Sequence, residues 1–517
     1  MWNLTAKQKV GQRFAVGFPS AEISEDFVQL VKEYKIGNVI LFKENIVDNQ
    51  QLRQLCQEIQ KLIRTETGYP AFITIDQEGG VVSRLGDDAA VVPSAMAISA
   101  TGNVRNAYEA GRITATELAA LGINFNLAPV MDINSNSNNP VIGVRSYGDT
   151  PETVSEYGVQ MITGLLDGGV LCSAKHFPGH GDTAVDSHLS LPIVDKSLEE
   201  LAECELKSFM AAIHAGVPAI MTSHILFPQL EKEKVPATMS RPIITGLLKE
   251  KMGFQGLVLS DCMMMNAIQG FYGTVQGSLA AAKAGVDLIF ISHSRDLASQ
   301  SARAMLEALD NGELDAEEMD ASVQKILAYK QKYADRPLPP LSLVGCKEHR
   351  DAVGRMMDEA ITEVQVPQGG RPALGASPLF LGCYPFRPTL VSNPEDRSIC
   401  FPLYLQEQLG GDCRITSIDP DAAEIASAVE ATKGHTCLVI GTYNGHLKQG
   451  QMALVQALSE TGIPTICTAL RNTYDLVHIS KNVYALAAYS YDKSSLAAVF
   501  KVLSGQRKAV GKLPIKL

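Results

Sequence analysis

The sequence predicts an α/β protein, a (β/α)8 TIM barrel followed by a smaller open α/β sandwich domain, on three observations. Eight short apolar runs alternate with longer amphipathic stretches through the first two-thirds of the 517 residues. Most of these runs end in polar residues. A proline-rich break follows the eighth unit, and strand-like runs resume beyond it. Strands alternating with helices imply a parallel sheet, and eight such units fit a barrel, for which about 250 residues are typical and insertions add more.

The strands expected in the barrel are Arg13–Phe18, Gly37–Phe42, Ala71–Ile75, Ile123–Val130, Gly169–Ala174, Ala219–Thr222, Gly256–Ser260 and Asp287–Ile291. Between them run helical patterns such as Asp48–Thr65, Val104–Leu121, Pro151–Gly168, Ser197–Ala215, Ser240–Met252 and Val275–Ala284. Lys43 follows the second strand, Asp76-Gln77-Glu78 the third, Asp132 the fourth, Lys175-His176 the fifth, Ser223-His224 the sixth, Asp261 the seventh and Ser292-His293 the eighth. In a barrel these carboxyl ends share one face, and that face carries the site.

The barrel is expected over residues 1–334, a linker over 335–345 and the second domain over 346–517. In the second domain a helix over Lys347–Thr362 precedes strands at Leu379–Tyr384, Cys413–Ile418, Cys437–Thr442, Pro464–Ala469 and Val483–Tyr489. It is expected to stabilise the barrel or shape access without supplying a catalytic residue. A net charge of −11 argues against nucleic acid or an anionic membrane as a partner. No apolar run approaches the roughly 20 residues that span a bilayer. The start of the chain lacks the pattern of a secretory signal, and ten cysteines are scattered without paired spacing, so a cytoplasmic protein is expected. There is no Gly-x-Gly-x-x-Gly, no Walker A pattern and no internal repeat.

The densest polar segment, Lys175–His188, reads KHFPGHGDTAVDSH. Its glycines and proline make a helix a poor choice. Three readings of its histidines and aspartates stand: a solvated loop, a metal site, or an acid/base centre in which Asp186 orients and charges His188. Asp261, directly after a buried strand, has the fixed placement of a nucleophile, with a helix N-cap as the competing role. Asp76, Arg84 and Arg145 suit the gripping of sugar hydroxyls, with surface ion pairing the commoner role for each arginine alone.

Taken together, DQEGG…R at Asp76–Arg84, LAPVMDIN at Leu127–Asn134, NPVIGVRSYG at Asn139–Gly148, KHFPGHGDT…DSH at Lys175–His188, MTSHI at Met221–Ile225 and SDCMMMNAI at Ser260–Ile268 resemble glycoside hydrolase family three, β-N-acetylglucosaminidase branch. LRNTYDL at Leu470–Leu476 and LSGQRKAVGKLPI at Leu503–Ile515 are similar to that family's second domain. The resemblance implies a retaining exo-β-N-acetylglucosaminidase acting on peptidoglycan (muropeptide) fragments, with no metal and no cofactor. It implies Asp261 as nucleophile, His188 as acid/base with Asp186 as its partner, and Asp76, Arg84, Arg145, Lys175 and His176 as sugar-holding residues. Val81 stands where the family usually has arginine, which touches rim packing more than chemistry. The alternatives are another β-glycosidase of the family or an N-acetylglucosaminide phosphorylase, and intact Asp261, Asp186 and His188 speak against a non-catalytic carbohydrate-binding protein. The expected partner is a small carbohydrate, and the expected assembly a monomer or homodimer.

Overall fold

Eight parallel strands close on themselves in the computed structural model, which describes residues 4–184, 191–389, 391–393, 395 and 397–517. They are β1 (Phe14–Val16), β2 (Asn38–Leu41), β3 (Phe72–Ile75), β4 (Phe125–Asn126), β5 (Leu171–Phe177), β6 (Ala219–Thr222), β7 (Leu257–Cys262) and β8 (Leu288–Ile291). Closure is made where Phe14, Ala15 and Val16 of β1 pair with Ile289, Phe290 and Ile291 of β8. Side chains on a strand alternate in direction. Ala15, Ile40, Phe72, Phe125, Leu171, Leu257, Leu259 and Phe290 therefore fill the interior. Their neighbours Phe14, Val16, Val39, Leu41, Ile73, Val258 and Ile289 pack outward against the helices. Both faces are buried, which is why these strands read as continuous apolar runs.

The surrounding helices carry their own stop and start signals. In the helix Asn49–Thr67, Asp48 accepts from Gln51 N at 2.8 Å, and Gly68, at φ 83°, ends it in the left-handed conformation glycine favours. Leu52, Leu55, Cys56, Ile59 and Ile63 form its buried stripe.

The second sheet contains β9 (Thr362–Gln365), β10 (Pro378–Gly382), β11 (Asp412–Ile415), β12 (Cys437–Thr442), β13 (Thr465–Ala469) and β14 (Tyr484–Ala487). Its order is β11-β10-β12-β13-β14-β9, parallel throughout except for β9, which runs antiparallel along β14. The two sheets are joined by more than a connector. In the helix Lys347–Ala360, Ala352, Val353 and Met356 belong to the barrel's core, while Met357 and Ala360 belong to that of the second sheet. Val81, Val82, Met96, Ala97 and Val144 from the barrel side also pack into the second core. Val81 thus sits where apolar burial favours an aliphatic side chain.

Several expected elements differ in detail. Only Phe125–Asn126 forms regular strand within the predicted Ile123–Val130. Pro129 has no N–H to donate, and the chain continues beside β5 through scattered bonds such as Met131 N to Lys175 O at 2.7 Å. The predicted helix Ser197–Ala215 is two helices, Leu198–Glu203 and Glu205–His214, broken at Cys204. The segment read as Ser240–Met252 is wound as a π-helix over Pro242–Lys251. Strand β9, Thr362–Gln365, begins on the last residue of the predicted helix Lys347–Thr362, which ends instead at Ala360. None of the helices is long and apolar enough to cross a membrane, among the described residues. The ten cysteines are free thiols.

Candidate active site

At the carboxyl ends of the barrel strands lies a cavity of about 510 Å³, lined by Asp76, Arg84, Arg145, Lys175, His176 and Asp261 among others. Six of the eight residues proposed from sequence therefore converge. The remaining two, Asp186 and His188, lie outside the described residues. The convergence follows from topology, since parallel strands deliver their last residues to one rim.

An ion network forms the floor. Glu78 at the end of β3 takes both Nε and Nη2 of Arg145 at 2.8 Å. Lys175 Nζ on β5 reaches Glu78 Oε1 at 2.7 Å and Asp76 Oδ1 at 2.8 Å. Burial alone would raise the Glu78 carboxyl, but the charges of Arg145 and Lys175 outweigh it and hold it far below the carboxylate range. Burial would lower Lys175, and the carboxylates of Asp76 and Glu78 reverse that. Paired buried charges of this kind hold their geometry because removing one partner strands the other. Asp76 also faces Arg84, whose Nη2 lies 3.9 Å from Asp76 Oδ2.

Asp132 organises the start of the His-rich segment. Its carboxylate accepts from His176 N at 3.1 Å, from His180 N at 2.7 Å, and lies 2.7 Å from His176 Nδ1. Burial pushes its pKa upward, and the nearby His176 more than compensates, leaving it lowered. On the other side of the ring, His176 Nε2 lies 3.5 Å from Arg145 Nη2. His180 is buried and pushed down to about 4 by burial first and by His176 second, so its ring is neutral at physiological pH. His180 Nδ1 lies 2.8 Å from Thr183 Oγ1.

Asp261 is the fifth residue of β7, which runs on through Cys262. Its Oδ1 accepts from Cys262 N at 2.6 Å. The following helix begins at Asn266, with Met265 at its N-cap position, so the competing N-cap role for Asp261 does not hold. Cys262 itself is fixed by Ser292 Oγ at 3.3 Å and, through its carbonyl, by His224 Nε2 at 3.0 Å. A strand end braced from β6 and β8 is a rigid mount for a carboxylate.

Several residues that build the site carry no distinct local signal. Glu78 and Asp132, which hold the lining residues Arg145, Lys175 and His176, read only as polar strand-end acids. Arg387 and Val391 come from the second domain and also line the cavity. Arg84 Nη1 donates to Val391 O at 3.1 Å. His293, at φ 68°, sets its ring 4.7 Å from that of Phe42 at a tilt of 58°, with Nε2 3.2 Å from Glu44 Oε1. The arrangement offers a fixed carboxylate, a neutral histidine and a set of charged hydrogen-bonding groups, which is the equipment for binding and cleaving a polyhydroxylated substrate.

Residues 5–329 match the glycosyl hydrolase family 3 N-terminal domain. The chain is 30% identical to β-hexosaminidase A of Pseudoalteromonas piscicida, over 99% of this chain and 97% of that protein. It is 33% identical to a β-hexosaminidase of Thiobacillus denitrificans over 54% of this chain and 77% of that one. Among solved structures, a family 3 β-N-acetylglucosaminidase from Paenibacillus sp. FPU-7 superimposes with a TM-score of 0.93 at 37% identity, covering 100% of this chain and 99% of that one.

Proposed function

The chain belongs to glycosyl hydrolase family 3, and from that premise we propose that it is a retaining exo-β-N-acetylglucosaminidase releasing N-acetylglucosamine from non-reducing ends. The chain is a glycoside hydrolase; the finer reading concerns substrate and residues. What supports it is the convergence of Asp261 with Asp76, Arg84, Arg145, Lys175 and His176 in one cavity.

The reaction runs as a double displacement. Asp76, Arg84, Lys175 and His176 hold the sugar hydroxyls, and the Glu78–Arg145 pair keeps them in place. An Asp261 carboxylate oxygen attacks the anomeric carbon as the bond to the leaving oxygen breaks. His188 donates its proton to that oxygen, with Asp186 orienting the imidazole. Water then attacks the same carbon, gives its proton to His188, and frees Asp261. Two inversions at one carbon retain the β configuration.

The substrates are β-linked N-acetylglucosaminides of peptidoglycan fragments, handled in the cytoplasm. The motif resemblance supports the first point, and ten unpaired thiols support the second. A panel of p-nitrophenyl β-glycosides and muropeptides, with products analysed with and without phosphate, tests this. N-acetylglucosamine should be released in either buffer, and preferentially from its own glycoside. A sugar 1-phosphate formed only with phosphate would make the protein a phosphorylase, and preference for glucosides would overturn the sugar assignment.

A further inference from the structure

Beyond the carboxyl ends of the paired strands β12 and β13 lies a separate cavity of about 330 Å³, lined by Asn138, His446, Gln456, Tyr474, Asp475 and Ile479 among others. His446 follows β12 and Asp475 follows β13, so two adjacent strand ends bring them together. Asp475 is 1% exposed. Its Oδ1 accepts from His446 N at 2.9 Å and lies 2.8 Å from His446 Nδ1. Its Oδ2 and the Nε2 of His446 are buried and have no hydrogen-bond partner among the described residues. Burying such groups without a partner works against stability, and a ligand that pairs with them recovers that loss. Gly445 keeps the space clear, since a Cβ there would meet Met452 Sδ at 2.7 Å and Asp475 Oδ2 at 3.3 Å.

The chemistry of the two orphan atoms defines what fits. With the shared proton on Nδ1, His446 Nε2 is an acceptor, and Asp475 Oδ2 is a second acceptor on the far side of the pair. The two ring nitrogens point in diverging directions, so a ligand satisfies both atoms only with donors on separate parts of its ring. The rest of the lining is mixed and, among the described residues, holds no carboxylate, lysine or arginine: the amides of Asn138, Gln449 and Gln456, the His478 and Tyr474 rings, and apolar Met452 and Ile479 among others. Amides and hydroxyl-matching acceptors around an aromatic and aliphatic wall suit a pyranose ring, whose edges are polar and whose faces are not.

We propose that this cavity is a second carbohydrate site, taking a neutral sugar or N-acetylated amino sugar through separate donors to His446 Nε2 and Asp475 Oδ2. The site is tied to the catalytic side. Asn134 Nδ2 donates to Tyr474 OH at 2.9 Å, and Asn139 Nδ2, five residues on, donates to His180 O at 2.8 Å. Asn138 lies between these two anchors, so a sugar held here also restrains the segment that supports His180. The proposal does not depend on the roles given to Asp261 and His188.

Calorimetric titration of the full chain with N-acetylglucosamine tests it, alongside crystals soaked in the same sugar. Two binding events are expected in the wild type, with sugar density in the cavity within hydrogen-bond distance of His446 Nε2. His446→Ala should remove one event and leave kcat unchanged. Gln456→Trp, an exposed rim substitution that spares the dyad, should do the same by filling the cavity. A single event in the wild type up to the solubility limit, or two events persisting in both variants, overturns the proposal. Tighter binding of N-acetylglucosamine 6-phosphate at this cavity overturns the neutral ligand class.

Discussion

The Asn393 side chain accepts from Ser83 N at 2.7 Å and donates to Gly80 O at 3.0 Å, so the second domain grips the turn that carries Arg84. Asn393→Ala should strand both backbone groups, costing about 1–3 kcal/mol. It should raise KM several-fold while changing kcat less, because the role proposed for Arg84 is to hold sugar and not to break the bond. Steady-state kinetics and a melting curve check this. A lower Tm with unchanged KM would reduce Asn393 to a structural tie.

Glu78→Gln should be more damaging than its distance from the reacting bond suggests. It leaves Arg145 and Lys175 facing each other with one counter-charge removed, and breaking a buried pair of this kind costs about 3–5 kcal/mol. Urea unfolding measures the loss, and substrate affinity should fall with it. An unchanged midpoint would mean that water or Asp76 replaces the missing charge.

His180 makes stability fall on mild acidification. Its folded value of about 4 lies below the unfolded value of 6.5, so across that window the unfolded chain binds more protons. The contribution is complete above the unfolded value and is lost as pH drops toward the folded one, by up to about 3 kcal/mol. Asp132, held below the usual aspartate range despite its burial, loses its contribution only at lower pH. Unfolding midpoints measured at neutral pH and stepwise down to about 4 should fall less steeply in His180→Asn than in the wild type. Parallel slopes would place the acid sensitivity elsewhere.

His188→Ala should hurt substrates with poor leaving groups far more than nitrophenyl ones, which depart without a proton. Equal losses across leaving groups of widely different pKa would assign the proton transfer to another residue.

The barrel was legible because its strands are buried on both faces. Leu257-Val258-Leu259 can only be strand or buried helix, and the polar Ser260-Asp261 that follows marks where it surfaces. The short β4 was not legible, because the break at Pro129 is rescued by irregular bonds to β5 that no local pattern encodes. Edge strand β9 was missed because its pairing with β14 spans more than a hundred residues. The same distance problem hid the cavity's second-domain wall. Arg387 and Val391 sit in a segment without periodicity, and only the fold brings them to Arg84. Glu78 and Asp132 looked like ordinary strand-end acids; their importance lies in whom they meet across β3, β4 and β5. His446 reads as an isolated histidine in the sequence, because its partner Asp475 is 29 residues away on the next strand end.

The assignment of Asp261 as nucleophile is tested most directly by trapping. The enzyme is incubated with a slow, fluorinated N-acetylglucosaminyl donor, quenched in acid, digested and mapped by mass spectrometry. The account predicts one glycosyl group on the peptide containing Leu257–Cys262, attached at Asp261 and absent from Asp261→Ala. A label on another carboxylate, or no label together with an inverted first product, would contradict it.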